Sequence, residues 1–181
     1  VTQLLGEIDE RIDQATRGDQ FTSAVGRCNN PVIKECFKWE EKAYQEGRIN
    51  SLIYEGLGAI LENNSQAILM GEDILHPYGG AFKVTKDLSE RYPDQVFGGP
   101  ISESGLVGVG IGLSIGGYLP IVEIMFGDFI GLAFDQILNH ACKLGFTSND
   151  ALKIRIIIRT PMGGYRGYGS THSQTLENHF L

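Results

Sequence analysis

A run of closely spaced glycines in the middle of the chain most restricts how it can fold. After Ser102 the glycines are Gly105, Gly108, Gly110, Gly112, Gly116 and Gly117. Ser102 is a favourable N-cap, so Glu103 falls in the first helical turn, where the positive end of the helix dipole favours a carboxylate. Because each glycine inside a helix costs about 1 kcal/mol relative to alanine, this helix needs packing that only a bare backbone allows.

Three of these glycines predict a flat helix face. Gly108, Gly112 and Gly116 repeat every four residues, so another helix or a ligand can approach the backbone on that side. Ordinary helix packing is one interpretation, and a contact between two copies of the chain is another. A dinucleotide-binding loop fits poorly, because residues 108–112 read GVGIG instead of GxGxxG and no clear strand precedes them.

The segments around the glycine helix alternate between helix and strand patterns. Helical patterns cover residues 49–61, about 82–91 and 129–144, and strand patterns cover 66–70, 119–125 and 154–158. This order predicts an α/β fold with a mainly parallel sheet and helices on both faces. Ligands of such sheets bind beyond the carboxyl ends of the strands, so we expect residues 71–73, 126–129 and 160–172 to meet on one rim.

Residues 1–47 are predicted to be a separate helical head or linker without identifiable chemistry. The net charge of −7 over 181 residues argues against nucleic acid as a partner, and no apolar run is long enough to span a membrane. Cys28, Cys36 and Cys142 are odd in number and lack CxxC spacing, which argues against a disulfide framework or a zinc site. We therefore expect no membrane partner and no metal ligated by this chain.

Four motifs, in order, resemble one enzyme family. They are residues 100–105 (PISESG), residues 122–129 (VEIMFGDF), Asp135 and Gln136 with Asn139, and residues 171–174 (THSQ). In residue identity and spacing they resemble the transketolase-like pyrimidine-binding module of the thiamine diphosphate-dependent 2-oxo acid dehydrogenases. In that family the module lies in the beta half of the decarboxylating component. The resemblance covers residues 48–181 and implies the thiamine diphosphate-binding fold, with the module continuing past residue 181 into a further strand.

The resemblance implies roles for four side chains. Glu103 matches the glutamate that binds N1′ of the cofactor's aminopyrimidine, a task for a carboxyl poised to share a proton. Phe129 matches an aromatic residue that packs on the pyrimidine, and Glu72 matches an acid near the cofactor. His172 matches a histidine that contacts substrate during acyl transfer, and an imidazole can exchange protons near neutral pH.

The same residues also allow structural interpretations. Glu103 could simply stabilise a helix N-terminus, Phe129 could be a core residue, Glu72 a solvated loop acid and His172 a helix cap. Arg166 is a weaker candidate for contact with an acidic substrate or a lipoyl domain. The remaining histidines match no functional position of the family and are predicted to be surface or packing residues: His76, His140 and His179.

The implied activity is decarboxylation of a 2-oxo acid, of the pyruvate or branched-chain type, with transfer of the acyl group to lipoyllysine. The GDG and NN motif that binds diphosphate and Mg²⁺ in this family is missing, so we expect a diphosphate-binding alpha-type module to hold those groups and this chain to be inactive alone. Residues 1–47 would be the tail of such a module. The other expected partners are a second copy of the chain and a lipoyl-bearing acyltransferase, in the cytoplasm or the mitochondrial matrix.

Two alternatives remain open from the sequence. A non-catalytic dimerisation module would use the glycine helix but would not need Glu103, Phe129 and His172 together. The pyrimidine modules of transketolase, deoxyxylulose-phosphate synthase and acetoin dehydrogenase share the glutamate. Residues 122–129 and 171–174 nevertheless resemble the dehydrogenases more than transketolase or the synthase.

Overall fold

A computed structural model of the chain describes residues 47–165 and 167–180. Nearly all of the predicted head, together with Arg166 and Leu181, lies outside the described residues. Helices and strands alternate along them: α1 Ile49–Asn63, β1 Ala67–Gly71, α2 Leu88–Arg91, β2 Val96–Gly98, α3 Glu103–Ile115, β3 Leu119–Glu123, α4 Leu144–Thr147 and β4 Ile157–Arg159. Between them, 3-10 turns occupy Ala81–Lys83, Gly127–Ala133 and Glu177–His179, and a π-helical segment spans Gln136–Ala141.

The sheet of the described residues is parallel throughout, with strand order β2-β1-β3-β4. Strand β1 is buried along its whole length, as expected for a central strand of a parallel sheet covered on both faces. Leu69 pairs in register with Ile121, and Met70 with Val122. Because successive side chains point to opposite faces, these two pairs belong to different cores.

One apolar cluster lies on each face of the sheet. On the first face, Leu61 of α1 and Leu88 of α2 pack with Leu69 and Ile121. On the second, helix α3 and the segment after β3 pack with Met70 and Val122. A fully buried leucine contributes roughly 1.5–3 kcal/mol, so the two clusters hold the helices against the sheet. The predicted α/β class, with helices on both faces of a parallel sheet, is confirmed.

Two sequence predictions near the start of the sheet are wrong. No strand is predicted before the glycine helix, yet Val96–Gly98 forms the edge strand β2. The single helix predicted over residues 82–91 is a 3-10 turn followed by the short helix α2. The backbone N–H groups of Thr85 and Lys86 donate to Gly79 O at 3.0 and 3.3 Å, which ties this segment back to the preceding loop and prevents a continuous helix.

The single helix predicted over residues 129–144 is also wrong. The chain first tightens into the 3-10 turn, where the Phe129 N–H donates to Phe126 O at 3.0 Å. It then widens into the π-helical segment, with the Cys142 N–H donating to Ile137 O at 3.0 Å. The tight first turn places Phe129 directly beyond the end of β3. Among the described residues, no helix is long and apolar enough to cross a membrane.

The glycine helix forms as predicted, but the glycine that the fold itself requires is Gly110. Ser102 caps α3, its hydroxyl accepting from the Gly105 N–H at 3.2 Å. A Cβ at Gly110 would lie 2.8 Å from Val122 Cγ2 and 2.9 Å from Ile156 Cδ1, whereas a Cβ at Gly112 would meet nothing within 4 Å. A Cβ at Gly108 would meet Gln136 Oε1 of the same chain at 3.4 Å, so part of the face of Gly108, Gly112 and Gly116 is already covered, and its contact with a second copy stays a prediction.

The two glycines make a matched pair for a stability test. Gly110→Ala should lower the free energy of unfolding by about 1–3 kcal/mol, because the added methyl overpacks the contact with β3. Gly112→Ala should raise it by up to about 1 kcal/mol, because alanine favours the helix and has room. Chemical unfolding at low protein concentration measures both changes. Equal destabilisation by the two variants would contradict the role of Gly110.

Candidate active site

The carboxyl ends of β1, β3 and β4 lie side by side, and the predicted site residues are on the loops that follow them. Gly71 pairs in register with Glu123, and Glu123 with Arg159, so the three strands end at the same level. Glu72 comes directly after β1, and the 3-10 turn Gly127–Ala133 comes shortly after β3. The loops after β3 and β4 are in contact, as expected from the strand order.

Glu72 and Glu103 form a pair of buried carboxyl groups at the start of α3. They are 5% and 6% exposed, respectively. Glu72 Oε1 accepts from the backbone N–H of Ser102 at 3.0 Å, which brings its carboxyl beside the residue that begins α3. Burial and then the charge of Glu103 raise the pKa of Glu72, although the Ser102 hydrogen bond opposes the shift. This end of the helix can therefore hold a proton more readily than a solvated acid would.

Phe126 is the centre of an aromatic cluster next to this rim. Its ring meets four others edge to face, with centroid distances of 6.3 Å to Phe82, 5.9 Å to Phe129, 6.1 Å to Tyr168 and 5.1 Å to His172. The His172 and Phe129 rings also meet directly, at 5.1 Å. Two residues predicted from separate motifs are therefore in contact. Sequence reasoning did not single out Phe126, although an aromatic residue in the loop after a buried strand was a usable signal.

Helix α3 connects the carboxyl pair with the aromatic cluster. Phe129 packs against the second apolar cluster, which includes Leu106 and Val107 of α3. Helix α3 and the 3-10 turn that carries Phe129 are in contact. The predicted site residues are thus assembled as two pairs, Glu72 with Glu103 at the start of α3 and Phe129 with His172 on the loops after β3 and β4.

A buried ion pair that the sequence analysis missed lies at the same rim. Glu123 is 1% exposed, and its Oε2 pairs with Arg159 Nη1 on the neighbouring strand. Within the described residues, Glu123 Oε1 has no hydrogen-bond partner. Burial raises the pKa of Glu123, and the hydrogen bond and charge of Arg159 oppose this shift. The available signal was an acid and an arginine, each ending an apolar strand.

Other candidate residues lie away from these pairs. Asp135 and Asn139 form an exposed hydrogen-bonded network with Lys143, at 2.7 Å for each contact. His140 lies 3.7 Å from Asp135, and His76 lies 3.6 Å from Glu90, both at exposed positions. Across the described part of the chain, no group of His, Cys, Asp and Glu side chains is arranged to hold a metal ion.

A cavity opens beside the aromatic cluster. Its volume is about 220 Å³, and its walls are formed by Phe82, Phe126, Pro161, Met162, Gly163, Tyr165, Tyr168 and His172. His172 is the basic side chain in this wall, and the others give it a largely apolar, aromatic surface. A small organic molecule could therefore lie against His172 and the surrounding aromatic rings.

The raised pKa of Glu72 predicts that the stability of the fold decreases when this carboxyl ionises. Because the ordinary pKa of 4.5 is raised by folding, the free energy of unfolding falls as pH rises through the raised value. Glu72→Gln is neutral at every pH, and its amide oxygen can still accept from Ser102. We expect it to raise the Tm at pH 7.5 by a few degrees, roughly the effect of 1 kcal/mol, and much less at pH 4.

The control for this comparison is Glu177→Gln, at an exposed acid outside the rim. It should leave the Tm nearly unchanged at both pH values. Thermal unfolding followed by circular dichroism measures all three proteins. An equal effect of Glu72→Gln at pH 4 and pH 7.5 would show that ionisation of the Glu72 carboxyl does not destabilise the fold.

Comparisons with known proteins agree with this architecture. Residues 48–181 match the family model described as "Transketolase, pyrimidine binding domain". The pyruvate dehydrogenase E1 component subunit beta of Gracilaria tenuistipitata var. liui is 46% identical over 121 residues, which are 66% of this chain and 37% of the relative. That of Chaetosphaeridium globosum is 43% identical over 134 residues, covering 71% and 41%, respectively.

A chloroplastic relative and a solved structure extend the comparison. The subunit beta-3 of Arabidopsis thaliana is 40% identical over 129 residues, 71% of this chain and 32% of the relative. A structure titled "Split gene transketolase, inactive beta4 tetramer" aligns with a TM-score of 0.50 and 25% identity over 66% of this chain and 36% of that chain. The chain spans less than half the length of these relatives. Because the family model covers most of its residues, the chain belongs to the transketolase pyrimidine-binding domain family.

Proposed function

We propose that this chain is the pyrimidine-binding part of a thiamine diphosphate-dependent 2-oxo acid dehydrogenase. The observation that carries the proposal is the buried Glu103 at the start of α3, paired with Glu72. The family match and the identity to pyruvate dehydrogenase beta subunits support it. Among 2-oxo acids, the names of these relatives favour pyruvate, with branched-chain 2-oxo acids as the alternative.

The residues at the rim fit the aminopyrimidine half of thiamine diphosphate. Such a ring has two flat faces and a polar edge, and the site offers both kinds of surface. The rings of Phe126 and Phe129 provide apolar contact, and the buried acids provide carboxyl groups that can share a proton with a ring nitrogen. When bound, the cofactor supplies the electron sink that decarboxylation of a 2-oxo acid requires.

The side chains of this chain would divide the remaining work. Glu103 would hold a proton at N1′ of the pyrimidine. Because the pKa of Glu72 is raised, Glu72 would more readily take up a proton and so reduce the negative charge beside Glu103. His172 Nδ1 lies 2.9 Å from Thr171 Oγ1, so Nε2 would be the nitrogen that meets the substrate. In this proposal His172 exchanges a proton during acyl transfer to lipoyllysine.

The proposal requires partners that complete the site. A diphosphate-binding alpha-type module would hold the diphosphate and Mg²⁺, and a lipoyl-bearing acyltransferase would accept the acyl group. A second copy of the chain is a further proposed partner, through the face of Gly108, Gly112 and Gly116. The proposed compartment is the cytoplasm or, in a eukaryote, the matrix of an organelle such as the mitochondrion.

Glu103→Gln tests the proposed role of the carboxyl. In the full-length enzyme the variant should fold normally but lose at least about a hundredfold in turnover, because an amide cannot relay the proton. Activity is measured as CO₂ release from pyruvate and branched-chain 2-oxo acids and as acetaldehyde release from acetoin, with thermal unfolding as the check on folding. Unchanged turnover would remove Glu103 from the active site. A wild-type enzyme that used none of these substrates would favour transketolase-type chemistry or a purely structural module.

Cofactor binding tests the division of the site between modules. Titration of thiamine diphosphate and Mg²⁺ into the 181-residue chain alone should show no saturation at micromolar ligand, because the diphosphate donors are proposed to lie on the alpha-type module. Adding that module should produce saturation, as followed by calorimetry. Tight binding by the chain alone would place a diphosphate site within it.

A further inference from the structure

Asp128 belongs to the turn that carries Phe129 and is hydrogen-bonded to the loop that carries His172. It directly precedes Phe129 in the 3-10 turn after β3. Its Oδ1 accepts two hydrogen bonds from Gln174, one from the backbone N–H at 3.2 Å and one from Nε2 at 2.8 Å. Gln174 is only two residues after His172, so these bonds act close to the imidazole.

A second connection between the same loops lies one residue earlier. The Gly127 N–H donates to Pro161 O at 2.8 Å. A Cβ at Gly127 would collide with the Met162 side chain, so the close approach of the loops depends on glycine at this position. The loop after β4 is therefore attached to the turn after β3 at its beginning, through Pro161, and at its end, through Gln174.

The residues between these two attachments form an arch that closes on itself. The two ends of the arch meet at a neck, where the Gly163 N–H donates to Gln174 O at 3.3 Å. Within the arch, the Tyr168 N–H donates to Ser173 Oγ at 2.9 Å. His172 lies beside the neck, where its ring meets Phe126 and Phe129. The position of the imidazole therefore depends on how firmly the neck is attached to the turn after β3.

The charge state of Asp128 suits this attachment. Partial desolvation alone would raise its pKa, but the hydrogen bonds from Gln174 and the nearby His172 outweigh this effect and lower the pKa. Asp128 is therefore ionised at neutral pH, and hydrogen bonds to an ionised acceptor are stronger than those between neutral groups.

We propose that Asp128 is a positioning residue that holds His172 against Phe129 by fixing the neck of the arch. The role in catalysis rests on the proposed function, in which His172 contacts the substrate. A displacement of about 1 Å in a reacting group can cost roughly a hundredfold in rate, so a residue that fixes the neck can control turnover without touching substrate.

Four variants of the full-length enzyme, assembled with its partner module, test the proposal. Asp128→Ala removes both acceptor bonds, and Asp128→Asn keeps a carbonyl oxygen at the same place. Gln174→Ala removes only the side-chain bond, at an exposed residue whose loss is not expected to prevent folding. The control, Asp94→Ala, removes an exposed acid near the opposite end of the sheet, just before β2.

The direct readout is the ring-proton signal of His172 in enzyme with labelled histidine, assigned by its loss in His172→Gln. The rings of Phe126 and Phe129 shift this signal from its value in an unfolded chain, so the shift reports their contact with the imidazole. Asp128→Ala should move the signal toward the unfolded value and lower kcat for acyl transfer roughly tenfold to a hundredfold. Gln174→Ala should give a smaller change in the same direction, and Asp128→Asn, which keeps an acceptor but loses its charge, should lie between wild type and Asp128→Ala in both properties.

The outcomes separate this inference from the proposed function. An unmoved His172 signal in Asp128→Ala would overturn the positioning role, whereas a moved signal with unchanged kcat would overturn the role of that position in catalysis. An effect of Asp94→Ala as large as that of Asp128→Ala would also overturn it. If the wild-type enzyme turned over no 2-oxo acid, the proposed function would fail, and the signal alone would decide whether Asp128 positions His172.

Discussion

The close packing of helix α3 on strand β3 determines where the site residues lie. Gly110 allows this packing, because its bare backbone lies against the side chains of Val122 and Ile156. A side chain at this position would push the helix away from the sheet and move its first turn. Glu103 begins that turn, and the 3-10 turn that carries Phe129 is in contact with α3, so this one packing contact bears on the positions of both residues.

The rim concentrates buried acids, which are costly for stability. Glu72, Glu103 and Glu123 are each at most 6% exposed, and the ion pair that accompanies them is Glu123 with Arg159. Burying an ionised carboxyl is unfavourable unless it is paired or hydrogen-bonded. The two apolar clusters on the faces of the sheet offset this cost. Two buried acids at one helix start repel each other when both are ionised, and such arrangements are more frequent at functional sites, which supports the proposed role of the Glu72 and Glu103 pair.

Local pattern predicted the fold class and the place of Glu103, the resemblance implied the other candidate site residues, and contacts between distant loops explain what both missed. The alternation of apolar segments was enough for a parallel sheet, and Ser102 was enough to place Glu103 in the first turn of α3. Strand β2 was not predicted because it has three residues, of which only Val96 is buried, and it is too short for an alternation of apolar and polar residues to be visible. Asp128 lies in a predicted rim segment but was given no role, because its partner Gln174 lies 46 residues away and no short-range pattern shows that contact.

The charges at the rim also bear on how the cofactor would be divided between modules. The described side of the site offers a pair of acids, and burial together with mutual repulsion already raises the pKa of Glu72. A diphosphate brought beside these acids would add further negative charge in a poorly solvated place, where repulsion between like charges is weakly screened. The aminopyrimidine carries no such charge and can share a proton with a carboxyl. This repulsion favours the proposed arrangement, in which the acids lie on one module and the Mg²⁺ and diphosphate ligands on another, separated by the length of the cofactor.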